Sequence, residues 1–430
     1  MGCPCSSHKG ARPAIILLLG EKKSSFFIMG KIFRRELILA SFAGTIAVMG
    51  LGFIVPLFPI YVSEKGASNF ELGLVVSGFA ITQFLVQPFF GGLSDRFGRK
   101  PFMVGGLACY GLVTFLYILA NDLPGVFLIR LLHGVGAGMI WPALSAYIID
   151  LSPVERRGEA MGLLSAVEMV GFAIGPFLGG VLYSLGGINL PFLSCSILSL
   201  VAMGMIWGLI QEENSGKKVG RRSWLEQYGF SSIRLSDIRI LCLIGFAEAF
   251  VWGMIMTLLP VMAAGLGIPP GRIGWLFSAC FIVYIFLQGP VGRWSDRQGR
   301  KKPILLGLSI YTLAVLLLSQ GRTLLFFIVV LAIAGAGLGI YAPSVRVAIA
   351  DLSSEEVRGA SMGFFFTTRM IGFFLGPNVS GVMADHFGQG VPFLVGAAGL
   401  VLGIWASFSL SSGLSKRRPL LLGRPSGTAG

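Results

Sequence analysis

Apolar residues in this chain run in long blocks, and short polar or basic breaks separate them. Twelve blocks fall at roughly 36–62, 70–92, 101–121, 124–149, 158–185, 189–210, 238–264, 272–292, 303–319, 323–350, 359–384 and 390–412. Each is near the ~20 apolar residues that a helix needs to cross a bilayer. Lipid cannot hydrogen-bond a bare backbone, so a spanning segment must be a helix or part of a closed barrel. The blocks lack period-two alternation, which selects helices. The predicted fold class is an all-α membrane protein of twelve transmembrane helices. Residues 1–29 read as an extension ahead of the natural-looking start at Met29. Residues 30–210 and 238–412 read as two six-helix bundles, 211–237 as a polar linker and 413–430 as a tail.

Two bundles are expected because the chain repeats itself. Gly91-Gly92-Leu93-Ser94-Asp95-Arg96-Phe97-Gly98-Arg99-Lys100-Pro101 reappears as Gly292-Arg293-Trp294-Ser295-Asp296-Arg297-Gln298-Gly299-Arg300-Lys301-Lys302-Pro303. Asp95 and Asp296 lie 201 residues apart, as do Gln87 and Gln288, Pro142 and Pro343, Asp150 and Asp351, and Gly175-Pro176 and Gly376-Pro377. One offset surviving across five helices means two copies of one unit. Parallel repeats of this kind occur in transporters that rock one half against the other about a central site.

Composition agrees with the block pattern. Of 430 residues, 54% are hydrophobic and 13% charged, against roughly 25% charged in soluble chains. A soluble enzyme and a disordered chain are both excluded. The formal net charge of +14 sits in short runs between apolar blocks, not on one face, so it carries topology and not nucleic-acid binding. Segments on one side hold 28 of the 34 Lys and Arg, and the other side holds only Lys65, Arg272 and Arg322. The positive-inside bias then places both termini in the cytoplasm of a cell with its chain in the plasma membrane. Six cysteines show no metal-ligand spacing, so neither a metal site nor a disulfide framework is expected. The short N-myristoylation pattern of Met1-Gly2 with Ser6 is outweighed by the reading of residues 1–28 as a dispensable extension.

Four motifs carry a resemblance. Gly91, Asp95, Arg96, Gly98, Arg99 and Lys100 are spaced as in the signature of the major facilitator superfamily. Arg130-Leu131-Leu132-His133-Gly134-Val135-Gly136-Ala137-Gly138 is similar to that family's span-four motif. Gly171, Gly175, Pro176, Gly179 and Gly180 resemble its antiporter-type motif, and Gly50 to Pro59 its twelve-helix drug:proton antiporter motif. The resemblance covers about residues 30–412 and implies two pseudo-symmetric bundles working by alternating access.

It also implies roles. Asp95 with Arg96 and Arg99 would act as a conformational latch, with Asp296, Arg297 and Arg300 as a second copy in which Arg293 replaces a glycine. The span-five glycines put bare backbone on one helix face for close contact, and Pro176 permits a bend. Ionisable groups at mid-membrane are costly and so mark function. Glu168, Glu248, Arg130, Arg369 and His133 are therefore the candidates for proton coupling and the substrate cavity. Either glutamate is a proton carrier for which a cationic substrate competes. The bland alternative is a fixed ion pair of Glu168 with Arg130 or Arg369. His133 reads equally as a packed neutral side chain, and Arg346 as a snorkelling one. Phe42, Phe53, Phe58, Tyr61, Phe250 and Trp252 are candidate cavity aromatics.

Gly134-Val135-Gly136-Ala137-Gly138 and Gly335-Ala336-Gly337-Leu338-Gly339 superficially match dinucleotide loops, but no strand precedes either. No nucleophile–base set appears, so an enzyme is not expected. The functional expectation is proton-coupled export of an amphipathic or cationic small molecule, with H+ as coupling ion, no cofactor, the lipid bilayer as surroundings and a monomeric state. The alternatives are a symporter or uniporter for an anionic or sugar-like metabolite, with Arg130, Arg346 and Arg369 binding the anion, and a non-transporting sensor or scaffold.

Overall fold

A computed structural model describes residues 35–152, 156–210, 236–353 and 358–410, where the chain is helical. The helices are α1 Arg35–Ile54, α2 Phe58–Glu64, α3 Asn69–Phe97, α4 Lys100–Leu119, α5 Leu123–Leu151, α6 Arg157–Gly186 and α7 Asn189–Leu209 in the first half. The second half has α8 Ser236–Gly265, α9 Pro270–Gln298, α10 Lys301–Leu318, α11 Leu324–Leu352, α12 Arg358–Phe387 and α13 Val391–Phe408. Among the described residues, eleven runs are long and apolar enough to cross a membrane, α1 and α2 counting together. The exception is α12, which is diluted by Thr367, Thr368, Arg369, Asn378 and Ser380. The predicted N-terminal extension, most of the linker and the tail lie outside the described residues.

Two boundaries depart from the sequence pattern. The first apolar block is one span in sequence but two helices in space. Pro56 and Pro59 lack N–H groups, and the chain turns between them with the Leu57 N–H donating to the Ile54 carbonyl at 2.9 Å. Pro59 then sits in the first turn of α2, where a missing donor costs nothing. Second, α3 and α9 run past the predicted ends at 92 and 292, to Phe97 and Gln298. Asp95, Arg96, Asp296 and Arg297 are thus in last helical turns. Gly98 and Gly299 end those helices with φ of 92° and 89°, a backbone that only glycine adopts without strain.

The repeat is visible in the backbone itself. The six positive-φ glycines among the described residues pair at the sequence offset: Gly66 with Gly267, Gly98 with Gly299, Gly187 with Gly388. Each half packs the same way, α1 on α6 and α3 on α5 in the first, α8 on α12 and α9 on α11 in the second. Each buries its own apolar core, the first around Leu107, Leu144 and Phe192 and the second around Leu258, Phe277 and Phe393.

The halves meet along two seams, α6 against α9 and α3 against α12. Both are zipped at the end away from the basic loops. There a Cβ added at Gly274 would land on the Pro176 carbonyl, one at Gly180 on the Gly271 carbonyl, and one at Gly73 on the Pro377 carbonyl. Nearer the basic loops, Cβ atoms at Gly92, Gly162, Gly292 and Gly359 would meet nothing within 4 Å. A 450 Å³ cleft lined by Gln87, Asp95, Arg99, Gly363 and Thr367 separates α3 from α12 at that end. This conformation is therefore closed at one end and open at the basic end.

Polar contacts reinforce the closed end. Asn378 Nδ2 donates to Ser77 Oγ at 2.8 Å across the α3–α12 seam. Asp385, at the end of α12, accepts from the backbone N–H of Asn69 at 3.0 Å, from Asn69 Nδ2 at 2.8 Å and from the Phe70 N–H at 3.0 Å. It thereby caps the N-terminus of α3 from the other half, where orphan N–H groups and the helix dipole favour an anion. Partial burial alone would push this carboxyl up. The Asn69 side chain and the two backbone N–H groups, with His386 alongside, outweigh it and hold Asp385 below the usual carboxylate range. Its folded-state value being depressed, the cap contributes above the ordinary Asp range and is lost only as pH falls through the lowered value, so it stays charged at neutral pH.

Asp385→Asn should loosen this end by about 1 kcal/mol, several-fold in population. A cysteine at Ser77, buried in the seam, reads this as a faster alkylation rate. An unchanged rate would mean that apolar packing alone closes the seam.

Candidate functional site

Between the halves lies a cavity of 410 Å³ whose walls come from both. The first half supplies its only strongly polar groups among the described lining residues: Gln83 on α3, Arg130 on α5 and Glu168 on α6. The second half supplies Trp252 and Met256 on α8, Phe281 on α9 and Phe373 on α12. One wall is charged and the facing wall is aromatic and soft. Phe172 stacks on Phe281 across the α6–α9 seam with centroids 5.4 Å apart, and Trp252 meets Phe281 edge-on at 5.8 Å.

Arg130 is only 7% exposed. Its guanidinium carbon lies 4.2 Å from the Phe58 ring centroid and 4.8 Å from that of Phe79. Rings in this position attract a cation and hold the group's orientation. Arg130 Nε has no hydrogen-bond partner, and no ion pair reaches Arg130 among the described residues. Glu168, in the same cavity, likewise has no ion pair or hydrogen bond there. The fixed pairing of Glu168 with Arg130 or Arg369, which the sequence left open, is absent from this conformation.

Arg369 pairs instead with Glu248, its Nη1 donating to Glu248 Oε2. This bond ties α12 to α8 inside the second half, with Arg369 also 5.7 Å from the Phe365 ring centroid. Glu248 is 3% exposed and is not part of the cavity wall. The offset of 201 explains the contrast: Arg369 is the copy of Glu168, but the copy of Glu248 is Ala47. The first half therefore lacks the partner that the second retains.

His133 is fully buried behind Arg130 and away from the cavity. Its Nε2 lies 3.3 Å from Thr114 Oγ1 and its Nδ1 3.4 Å from the Tyr117 hydroxyl, with the Tyr110 ring centroid at 3.9 Å. Arg346 reaches back to the Ala342 carbonyl at 3.3 Å and to the Tyr284 hydroxyl at 3.4 Å. Of the aromatics singled out from sequence, Phe58 and Trp252 line the cavity. Phe53 and Tyr61 are core, and Phe42 is 52% exposed. Sequence reasoning passed over Gln83, Trp141, Phe172 and Phe281. Gln83 had a usable signal, being an amide inside an apolar block.

At the basic end both signature copies form the same network. Arg99 pairs with Asp95, donates to Asp150 at 3.2 Å and to Ser94 Oγ at 2.8 Å. Arg300 pairs with Asp296 at 2.7 Å, with Asp351 at 3.0 Å and donates to Ser295 Oγ at 3.1 Å. Each network stays within its own half, tying α3 to α5 and α9 to α11. Among the described residues, no hydrogen bond from a neighbouring helix end reaches Asp95, and Arg96 and Arg297 are outside both networks. The span-five motif divides between two contacts: Pro176 and Gly180 meet α9 across the seam, while its other glycines face α1 inside the first half. A Cβ at Gly171 or Gly175 would crowd the α1 backbone, and one at Gly179 would meet Phe53.

Comparison with known proteins follows the same lines. The model of the family described as Major Facilitator Superfamily matches residues 40–239 and 241–426. Among relatives, an MFS-type transporter of Methanocaldococcus jannaschii is 28% identical over 345 residues, covering 79% of this chain and 89% of the relative. Multidrug resistance protein 2 of Bacillus subtilis is 26% identical over 372 residues, covering 84% and 91%. Quinolone resistance protein NorA of Staphylococcus aureus is 25% identical over 367 residues, covering 82% and 92%. Among solved structures, a bacterial homolog of the human lysosomal transporter Spinster, inward-facing and unoccupied, superposes with a TM-score of 0.75 at 16% identity, over 88% of this chain and 97% of that one. The nucleoside transporter NupG superposes with 0.70 at 15% identity, over 88% and 99%. These superpositions establish a shared fold.

Proposed function

This chain belongs to the major facilitator superfamily and is a multi-pass membrane transporter, not an enzyme; from that premise we propose that it is a proton-coupled antiporter exporting an amphipathic or cationic small molecule. The observation that carries the reading is the unpaired Glu168 in a largely apolar 410 Å³ cavity between two repeats. A carboxyl group there can hold a proton or a cationic cargo, but not both at once, and that exclusion is the coupling. The facing wall of aromatic rings and Met256 suits flat apolar bodies of varied shape. The relatives named for multidrug and quinolone resistance support the same branch.

The cycle uses the seams. With both termini cytoplasmic, as the distribution of basic residues implies, the conformation described here faces the cytoplasm and would load cargo. Rocking would unzip the Gly73, Gly180 and Gly274 contacts and bring together the glycine faces that stand apart at the basic end. The Asp95–Arg99–Asp150 network is placed to bias that balance. Glu168 would release cargo outward, take up a proton there and return.

Everted membrane vesicles test this. Ethidium should accumulate when the lumen is acid and cease to do so when the gradient is collapsed. Glu168→Gln should lower the pH-driven rate of ethidium accumulation at least about ten-fold. Full pH-driven accumulation by this variant, or accumulation driven by an alkaline instead of an acid lumen, would refute the antiport reading.

A further inference from the structure

Two opposite charges line one cavity and do not neutralise each other. Arg130 is 7% exposed and lies against the rings of both Phe58 and Phe79, 4.2 Å and 4.8 Å from their centroids. Its Nε is without a partner. Because an arginine side chain does not deprotonate in a protein, it keeps its charge in every state of the cycle. Glu168 lines the same space. The second half has solved the equivalent problem internally: Glu248 and Arg369 neutralise one another. That half presents to the cavity only Trp252, Met256, Phe281 and Phe373 among its described residues.

A simple lipophilic cation fits this arrangement poorly. It would satisfy Glu168 but add its own charge beside a guanidinium that stays without a counterion. Leaving a buried charge in that condition is expensive, and a solute that supplies both missing partners removes two penalties together. A planar guanidinium clamped by rings also presents a fork of N–H groups that matches a carboxylate or phosphate. The volume of 410 Å³ falls in the range of cavities that enclose a drug-sized molecule.

We propose that the preferred cargo is a zwitterionic aromatic amphipath. Its anionic group pairs with Arg130, its ammonium group displaces the proton from Glu168, and its apolar body lies on the Trp252–Phe281 wall. This rests on the reading of the cavity as the cargo site given above. It narrows that reading from cations at large to solutes bearing both signs. Arg130 becomes a specificity determinant.

Three related probes separate the possibilities: Nα-dansyl-lysine, which is zwitterionic with its charges on a flexible chain, its methyl ester, a cation, and its Nε-acetyl derivative, an anion. Energy transfer from Trp141 and Trp252, both in the cavity wall, to the dansyl group reports binding to the purified full chain in nanodiscs. The zwitterion should bind about ten-fold or more tightly than either relative. Arg130→Gln should abolish the zwitterion's advantage over the ester, weakening the zwitterion and, by removing the guanidinium's repulsion, strengthening the ester. Glu168→Gln should bring the zwitterion down to the level of the anion.

Equal binding of zwitterion and ester by the unmodified protein would overturn the proposal while leaving cation export standing. That comparison needs no variant to fold. A preference for the zwitterion that survives Arg130→Gln would overturn it too, by removing the residue on which it depends. Absence of energy transfer with all three probes, in protein that still exports ethidium, would overturn the cavity assignment and this inference together.

Discussion

Glu248→Gln lowers the stability of the second half by about 3 kcal/mol, the low end of what breaking a buried ion pair costs. Arg369 stays charged after the change and loses its only carboxylate among the described residues. The low end applies because the Arg369 side chain keeps 25% of its surface exposed, against 4% for Glu248. Thermal unfolding of the purified protein measures the loss. The double variant Glu248→Gln/Arg369→Gln removes both charges and should recover most of it. Two variants equally unstable would show that the helix contact between α8 and α12, not the ion pair, carries the energy. Glu168→Gln provides the opposite case. Glu168 has no partner among the described residues to strand, so stability should hold while driven transport falls. The two glutamates looked alike in sequence, at similar depth in two apolar spans. Their expected phenotypes diverge because one is neutralised and the other faces a cavity.

Gly274→Val breaks the alternation itself. The Cβ alone would land on the Pro176 carbonyl, and backbone on both sides of the α6–α9 seam cannot yield as a flexible side chain would. A closed end of this shape is then disfavoured, and overpacking of this kind costs typically about 1–3 kcal/mol, which shifts a two-state balance by about five-fold to over a hundred-fold. Spin labels at Leu185 and Arg272, both exposed near this end of the seam, should report a longer distance, and driven transport should fall with it. Gly292→Ala is the matched control. A Cβ there meets nothing within 4 Å in this conformation, so the label distance should stay as in the parent. If Gly274→Val leaves the distance distribution unchanged, the seam closes by some route other than glycine contact.

Much of the architecture was legible without coordinates because it rests on one-dimensional physics. Lipid demands internally bonded backbone, so block length and polarity alone mark the helices. Duplication leaves a fixed offset that motif spacing reveals, and the positive-φ glycines repeat it. The local breaks were less legible. Pro56 and Pro59 were visible, but whether prolines kink a helix or end one depends on what the neighbouring turn can donate to. The helical continuation of α3 through Asp95 to Phe97 was hidden because polar residues at a helix end resemble a loop.

The candidate residues separated differently. Sequence alone marked the charges at mid-depth, since their rarity in apolar blocks is a property of composition along the chain. It also determined that Glu168 and Arg369 are copies of one position. Which charge meets which was decided only by the tertiary structure. Pairing depends on the direction of a few side chains across packed helices, and no spacing rule relates Glu248 to Arg369, 121 residues away. The same holds for His133, drawn into the core by Thr114 and Tyr117, and for the cavity, whose charged and aromatic walls come from opposite halves of the chain. Periodicity reports what a helix must do to live in lipid; only packing decides which of its buried groups is left without a partner.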